Sequence, residues 1–277
     1  MVADNLQKVE DFLRPLCAKG IALAFSGGVD SSLLLALLIE MKRKEDFPLL
    51  VLSARSTLQS GRDLDEIVSV AADYGVEVRF VYCDVLSIPE VRENNLLRCY
   101  HCKKMLFQTM LAEGEKEGIT TLIEGSHGDD LKAYRPGRKA LAELGVISPL
   151  EVLGISKTEI RAMAAHLGVR TARRPSSPCL ATRFDYGVTL TEEKLRRAGE
   201  GEQLLRKVLP EEADLRVRVH GKLARIEVNE KFFALLLEHR TEILPGFYAL
   251  GFEKVTLDIA GFASGSFDRK SEESKNV

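Results

Sequence analysis

Seven residues near the N-terminus, SGGVDSS (26–32), combine two adjacent glycines, three serine hydroxyls and one carboxylate. Gly27 and Gly28 permit a tight turn and close approach of an anion. Ser26, Ser31 and Ser32 add donors, and a following helix would contribute free N–H groups at its positive end. Asp30 can hold Mg²⁺ against phosphates or cap that helix. The spacing lacks G-x-x-x-x-G-K-[ST], so this is not a Walker loop. A second group carries thiols: Cys99 and Cys102 form a C-x-x-C pair in RCYHCKKM, and Cys179 lies far downstream in SSPCLATRFDYG. The pair alone is compatible with redox chemistry, half of a metal site, or two packed thiols.

Charged candidates form a third group. In EGSHGDDLKAYRPG (124–137), Asp129 and Asp130 suit Mg²⁺ or polar substrate groups, or a helix cap, and Arg135 suits an anion. Arg183 lies four residues after Cys179, in a segment that reads as a loop. Arg216 and Arg218 alternate in RVRVH and so share one strand face. Two arginines side by side suit bidentate recognition of phosphate or carboxylate, or a solvated face paired with Glu227 across a hairpin.

These groups need elements to position them. ALAF (22–25), then SGGVDSS, then LLLALLIEM reads as strand, turn and helix. PLLVLSA (48–54), VEVRFVYCD (76–84) and TTLIEGS (120–126) read as further strands, separated by helical periods at 62–75 and 99–118. A first helix spans 4–18, and SKTEIRAMAAHLG (156–168) opens with a Ser156-x-x-Glu159 capping box. Strands alternating with helices imply a mostly parallel α/β sheet, with the phosphate loop at its carboxyl edge. The pattern changes after RRPSSPC (173–179). There follow a helix at 192–209, strands at 215–221 and 223–228 turning on Gly221–Lys222, a helix at 229–239 and a strand at 254–259. The expected division is a large domain at 1–172, a smaller α+β domain at 173–264 for substrate binding or oligomerisation, and a polar tail at 265–277.

A net charge of −2 gives no reason to expect a polyanionic partner such as nucleic acid. No run approaches the roughly 18 apolar residues of a membrane span. MVADNLQKVEDFLRPL lacks the apolar core of a signal peptide, and five cysteines, an odd number, argue against a secreted disulfide framework. A cytoplasmic protein is expected, with Cys17 and Cys83 as packed thiols.

The string SGGVDSS is similar to the pyrophosphate-binding loop of PP-loop ATP pyrophosphatases. The ordered set SGGVDSS, CYHCK, DDxxxYRPG, SSPCLATRFDYG, RVRVH and ARIEV resembles the LarE family along nearly the whole chain. The resemblance implies a PP-loop (adenine nucleotide alpha hydrolase-like) fold. It also implies an enzyme that adenylates the carboxylates of pyridinium-3,5-biscarboxylic acid mononucleotide with ATP·Mg²⁺ and converts them to thiocarboxylates. That chemistry serves the nickel-pincer nucleotide of lactate racemase. The implied ATP set is Ser26, Gly27, Gly28, Asp30, Ser31, Ser32 and Ser53. Asp30, Asp129 and Cys179 are the implied catalytic residues; Asp130, Arg135, Arg183, Arg216, Arg218 and Glu227 would meet the substrate. A homo-oligomer is also implied. His127-Gly128 departs from the Asn-Ala common in the family.

The family resemblance covers two sulfur sources. One is sacrificial donation from Cys179. The other is a [4Fe–4S] cluster on Cys99, Cys102 and Cys179, whose remaining iron carries a sulfide delivered by a separate sulfur donor; Lys103, Lys104 and Arg98 would favour the thiolates. The cluster is the favoured expectation. Rival readings are zinc held with His101 or His127, a PP-loop tRNA thiolase, an ATP-dependent ligase or amidotransferase, and a nucleotide-sensing or metal-carrier protein without turnover.

Overall fold

The computed structural model describes residues 2–129, 136–174 and 178–263. Its first half runs α1 (Val2–Cys17), β1 (Ile21–Ala24), α2 (Val29–Lys44), β2 (Leu49–Arg55), α3 (Gly61–Ala72), β3 (Arg79–Tyr82), α4 (Pro89–Arg92), α5 (Arg98–Lys116) and β4 (Leu122–Ile123). Then come α6 (Gly137–Glu143), α7 (Pro149–Val152) and α8 (Lys157–His166). The four strands make an all-parallel sheet in the order β3-β2-β1-β4. The α/β reading therefore holds, although β3 and β4 are shorter than their apolar runs suggested.

Leu33, Leu34, Leu35, Leu37 and Leu38 of α2 are wholly buried, and burying each such side chain contributes roughly 1.5–3 kcal/mol. Helix α1 adds a single stripe, Leu6, Val9, Leu13 and Cys17, and α8 adds Ile160, Met163 and Ala164. These faces form one core with Ile21, Leu23 and Ile123 of the central strands. Chain order reverses at β1: β2 and β3 build outward on one side, and β4 returns on the other. That crevice, at the carboxyl ends of β1 and β4, is where open α/β sheets receive ligands.

The capping box on α8 is complete. Ser156 Oγ accepts from Glu159 N at 3.3 Å, and Glu159 Oε2 accepts from Ser156 N at 2.8 Å. These bonds, with the one from Ser156 Oγ first and that from Asn5 last, lower the Glu159 carboxyl below its ordinary value of 4.5. A depressed carboxyl contributes stability above the unfolded value, and loses it as pH falls through the folded one. Ser156→Ala is expected to cost about 1 kcal/mol in urea unfolding at neutral pH. The difference from the parent should shrink as the pH drops below 4.5; a pH-independent difference would refute the cap's electrostatic part.

The chain divides into two compact units, 1–56 with 63–88 and 97–176, and 57–62 with 89–96 and 177–277. The second holds α9 (Glu192–Arg206), β5 (Leu215–His220), β6 (Leu223–Val228), α10 (Phe233–Glu238), α11 (Arg240–Ala249) and β7 (Lys254–Leu257). β5 and β6 form the expected hairpin, turning where Gly221 takes φ +62°, and β7 pairs parallel to β6. Residues 57–62 and 89–96 join this unit through backbone bonds. Leu180 N donates to Leu58 O at 2.8 Å, and Leu190 N to Arg92 O at 2.7 Å. The polar tail 265–277 lies outside the described residues.

Candidate functional site

The phosphate loop follows β1 as expected. Gly27 takes φ +68°, and a Cβ there would lie 3.2 Å from Ile67 Cγ1, so both conformation and space require glycine. Ser31 Oγ accepts from Ser26 N at 3.2 Å, lies 3.2 Å from Ser26 Oγ, and donates to Gly28 O at 3.2 Å. Ser32 Oγ is buried and has no hydrogen-bond partner among the described residues. The N-cap of α2 is Gly28, with no side-chain cap, so the first-turn N–H groups are left to a ligand or water. Ser53 lies inside β2, 1% exposed.

Asp30 does not cap α2. Both of its oxygens accept from Lys157 Nζ at 2.6 Å, and Asp129 Oδ2 accepts from Lys157 N at 2.8 Å. The two predicted carboxylates are thus gathered by one residue absent from the sequence-based set. A signal for Lys157 was present: a cation in the first turn of a helix opposes the helix dipole and needs a local anion. Gly125 closes the corner, where a Cβ would lie 3.0 Å from Asp30 Cβ and 3.0 Å from Ser31 N. Gly128 has a comparable constraint: a Cβ there would lie 3.0 Å from the Gly154 backbone. Gly128 therefore sits in a close backbone contact with Gly154. Asp130 and Arg135 lie outside the described residues.

Glu124 is another residue the sequence did not single out. It is buried beyond β4 and accepts from Ser126 N at 2.8 Å, Ser126 Oγ at 2.9 Å and Ser148 Oγ. Lys103 Nζ approaches it at 3.9 Å, which ties the C-x-x-C helix to the rim of the sheet. Lys104 donates to Tyr100 Oη at 3.0 Å and Glu143 Oε2 at 2.8 Å. Both lysines therefore face carboxylates, and Arg98 is buried.

Cys99 and Cys102 lie near the start of α5, one helical turn apart, the former exposed and the latter half-buried. Cys179 is exposed at the N-cap of a short 3-10 turn, Leu180–Arg183, in the second unit. Cys17 and Cys83 are buried. Desolvation pushes the Cys17 thiol up to about 11, and pushes Cys83 up as well, so neither offers a ready thiolate. Among the described residues, no three His, Cys, Asp or Glu side chains converge as a metal-holding group.

The second unit holds the basic residues in a buried network. Arg183 makes a two-pronged pair with Glu202, Nε–Oε1 at 2.7 Å and Nη2–Oε2 at 2.8 Å, and also donates to Pro178 O at 2.7 Å. Its grip on the Pro178–Cys179 backbone fixes the turn that presents the thiol. Arg218 Nε meets Glu227 Oε1 at 2.9 Å with both side chains nearly inaccessible; removing Glu227 would leave the buried Arg218 charge without its carboxylate, at a cost on the order of 3–5 kcal/mol. Arg225 shares Glu227 at 3.2 Å and Asp258 at 3.5 Å. The open, solvated strand face is thereby excluded. Arg216, 5% exposed, has no carboxylate partner among the described residues. Burial, then the neighbouring Arg183 and Arg218, push its guanidinium down to about 10, still cationic at neutral pH. Four guanidiniums against three carboxylates leave one buried positive charge, centred on Arg216.

Comparison with known proteins places this geometry in context. Residues 2–134 match a PP-loop domain family. Pyridinium-3,5-bisthiocarboxylic acid mononucleotide synthase of Lactiplantibacillus plantarum is 32% identical over 246 residues, covering 88% of this chain and 87% of that protein. An uncharacterised protein of Synechocystis sp. is 33% identical over 97% of this chain and 98% of its own length. One from Methanocaldococcus jannaschii is 31% identical over 89% and 92%. Among the described residues no helix is long and apolar enough to cross a membrane.

Proposed function

This chain belongs to the LarE family of ATP-dependent PP-loop sulfur transferases, and from that premise we propose that its substrate is pyridinium-3,5-biscarboxylic acid mononucleotide. A carboxylate oxygen of the substrate attacks the α-phosphorus of ATP, the bond to the β-phosphate breaks, and pyrophosphate leaves. A sulfur nucleophile then attacks the acyl carbon and AMP departs, leaving a thiocarboxylate. The sequence repeats on the second carboxylate to make the precursor of a nickel-pincer nucleotide.

The chain's own residues divide this work between its units. Ser26, Gly27, Gly28, Ser31 and Ser32 would hold the β- and γ-phosphates with hydroxyls and the α2 N–H groups. Asp30 and Asp129 would hold Mg²⁺, which neutralises phosphate charge when bound. Their carboxylates already share a corner through Lys157, and this donor set suits a hard cation. In the second unit, the unpaired buried charge of Arg216 carries the substrate assignment, because a phosphate monoester is the anion that such a site lacks. Arg183 and Arg218, held by Glu202 and Glu227, would form its walls.

For the sulfur, the three accessible thiols Cys99, Cys102 and Cys179 fit a cluster's soft-ligand requirement, whereas buried Cys17 and Cys83 do not. Those three would hold a [4Fe–4S] cluster, which when bound would supply sulfide for the transfer. The test is an anaerobic assay of the purified chain with ATP, Mg²⁺ and the mononucleotide. Pyrophosphate release should depend on the mononucleotide and yield its thiocarboxylate by mass. Release that ignores the mononucleotide but responds to tRNA would replace this reading with RNA thiolation.

A further inference from the structure

The segment after β7 returns over the charge network. Asp258 N donates to Ile226 O at 2.8 Å, and Phe262 N donates to Val228 O at 3.1 Å, so the strip is fastened at both ends to β6. Gly261 takes φ +73° where a Cβ would lie 3.2 Å from Glu230 Cγ. Asp258 reaches Arg225 at one end of the strip, 3.5 Å between Oδ2 and Nε. At the other end, the Arg216 guanidinium carbon lies 4.8 Å from the centroid of the Phe262 ring.

An aromatic partner differs from a carboxylate in what it leaves available. A carboxylate would neutralise Arg216 and occupy its N–H fork. A ring stabilises the cation through its π face, while the five donors in the guanidinium plane stay usable. Every other guanidinium of the network is matched to a carboxylate; the one that is not is matched to a ring. We propose that Phe262 is a positioning residue. It fixes the plane of Arg216 so that its N–H edge meets the phosphate of the mononucleotide substrate. This rests on the reading that Arg216 receives that phosphate, and it assigns the post-β7 strip a role in substrate selection.

The test compares binding of the mononucleotide with binding of its dephosphorylated nucleoside, using the full chain. Phe262→Leu keeps apolar bulk without a π face and should weaken mononucleotide binding about tenfold (about 1.4 kcal/mol). Nucleoside binding should not change. In turnover, KM should rise by a similar factor while kcat stays within about twofold, the pattern of lost uniform binding. Phe262→Tyr should restore parental values. If Phe262→Leu fails to fold, pentafluorophenylalanine at 262 keeps the shape and reverses the ring quadrupole; the same loss is then expected. Parental affinity in either variant overturns the proposal. Arg216→Gln separates the two layers. Loss of phosphate selectivity there with Phe262→Leu intact removes only the positioning role. Full selectivity in Arg216→Gln removes the phosphate reading itself.

Discussion

Lys157→Met is expected to slow mononucleotide-dependent pyrophosphate release by about 10²–10³-fold, the usual loss when a preorganised charge facing a reacting phosphate is removed. The geometry gives the reason. Lys157 Nζ bonds both oxygens of Asp30 at 2.6 Å, with both side chains about three-quarters buried. In this position the ammonium stands where cationic charge is needed beside the phosphate loop. On the proposed function, Asp30 would hold Mg²⁺ when ATP is bound, and the ammonium of Lys157 would then be free to meet the phosphates. Methionine preserves length and apolar stem but leaves Asp30 half-buried beside Asp129 with no cation. ATP affinity and the rate of cleavage should both fall. The coupling is measurable: in a double-mutant cycle with Asp30→Asn, the pair should lose far less than the sum of the single losses, because the two groups act on one another. A Lys157→Met rate within about threefold of the parent would show the ion pair to be structural only.

Lys157 also shows what local reading could and could not find. The string SKTE announced a helix start, and the capping box formed as its spacing demanded. That reading gave the intervening lysine no role. Its partner, Asp30, is 127 positions away, and only the β1–β4 crossover brings the two loops together. The phosphate loop was legible because its chemistry is contained in seven consecutive residues. The arginines of β5 were legible as a pair through strand alternation, and Glu227 as a partner across the hairpin, but Glu202 was not. Glu202 lies on α9, in a stretch rich in charge where nothing marks one glutamate as buried. Phe262 sat in what reads as the approach to a polar tail. Helix α11 escaped because Pro245 and Gly246 argue locally against a helix. The fold overrides that preference: Ile243 and Phe247 are buried, and Leu204 packs so near Gly246 that a Cβ would lie 2.7 Å from it. Likewise, no composition shift marks residues 57–62 and 89–96 as members of the second unit, since their bonds are to distant backbone.

Cys179→Ser is expected to abolish thiocarboxylate formation, by on the order of 10³-fold or more, while adenylation continues within a few-fold of the parent rate. The separation follows from where the groups lie. ATP contacts are assigned to the loop and the Asp30–Lys157 corner of the first unit, and Cys179 to the turn clamped by Arg183 in the second. A serine hydroxyl preserves that turn, whose bonds use the Cys179 carbonyl rather than its sulfur. It offers neither a thiolate nor a soft ligand. The adenylate then has only water to react with, so ATP should be consumed without a sulfur product. The parallel substitutions Cys99→Ser and Cys102→Ser decide the source of sulfur. If the three thiols hold one cluster, each change should remove iron and sulfur transfer alike from the anaerobically purified chain. If Cys179 gives up its own sulfur, the α5 variants should complete one turnover, and the Cys179 peptide should lose the mass of hydrogen sulfide as dehydroalanine forms. Retained thiocarboxylate formation in Cys179→Ser would rule out both routes, because each requires the Cys179 sulfur.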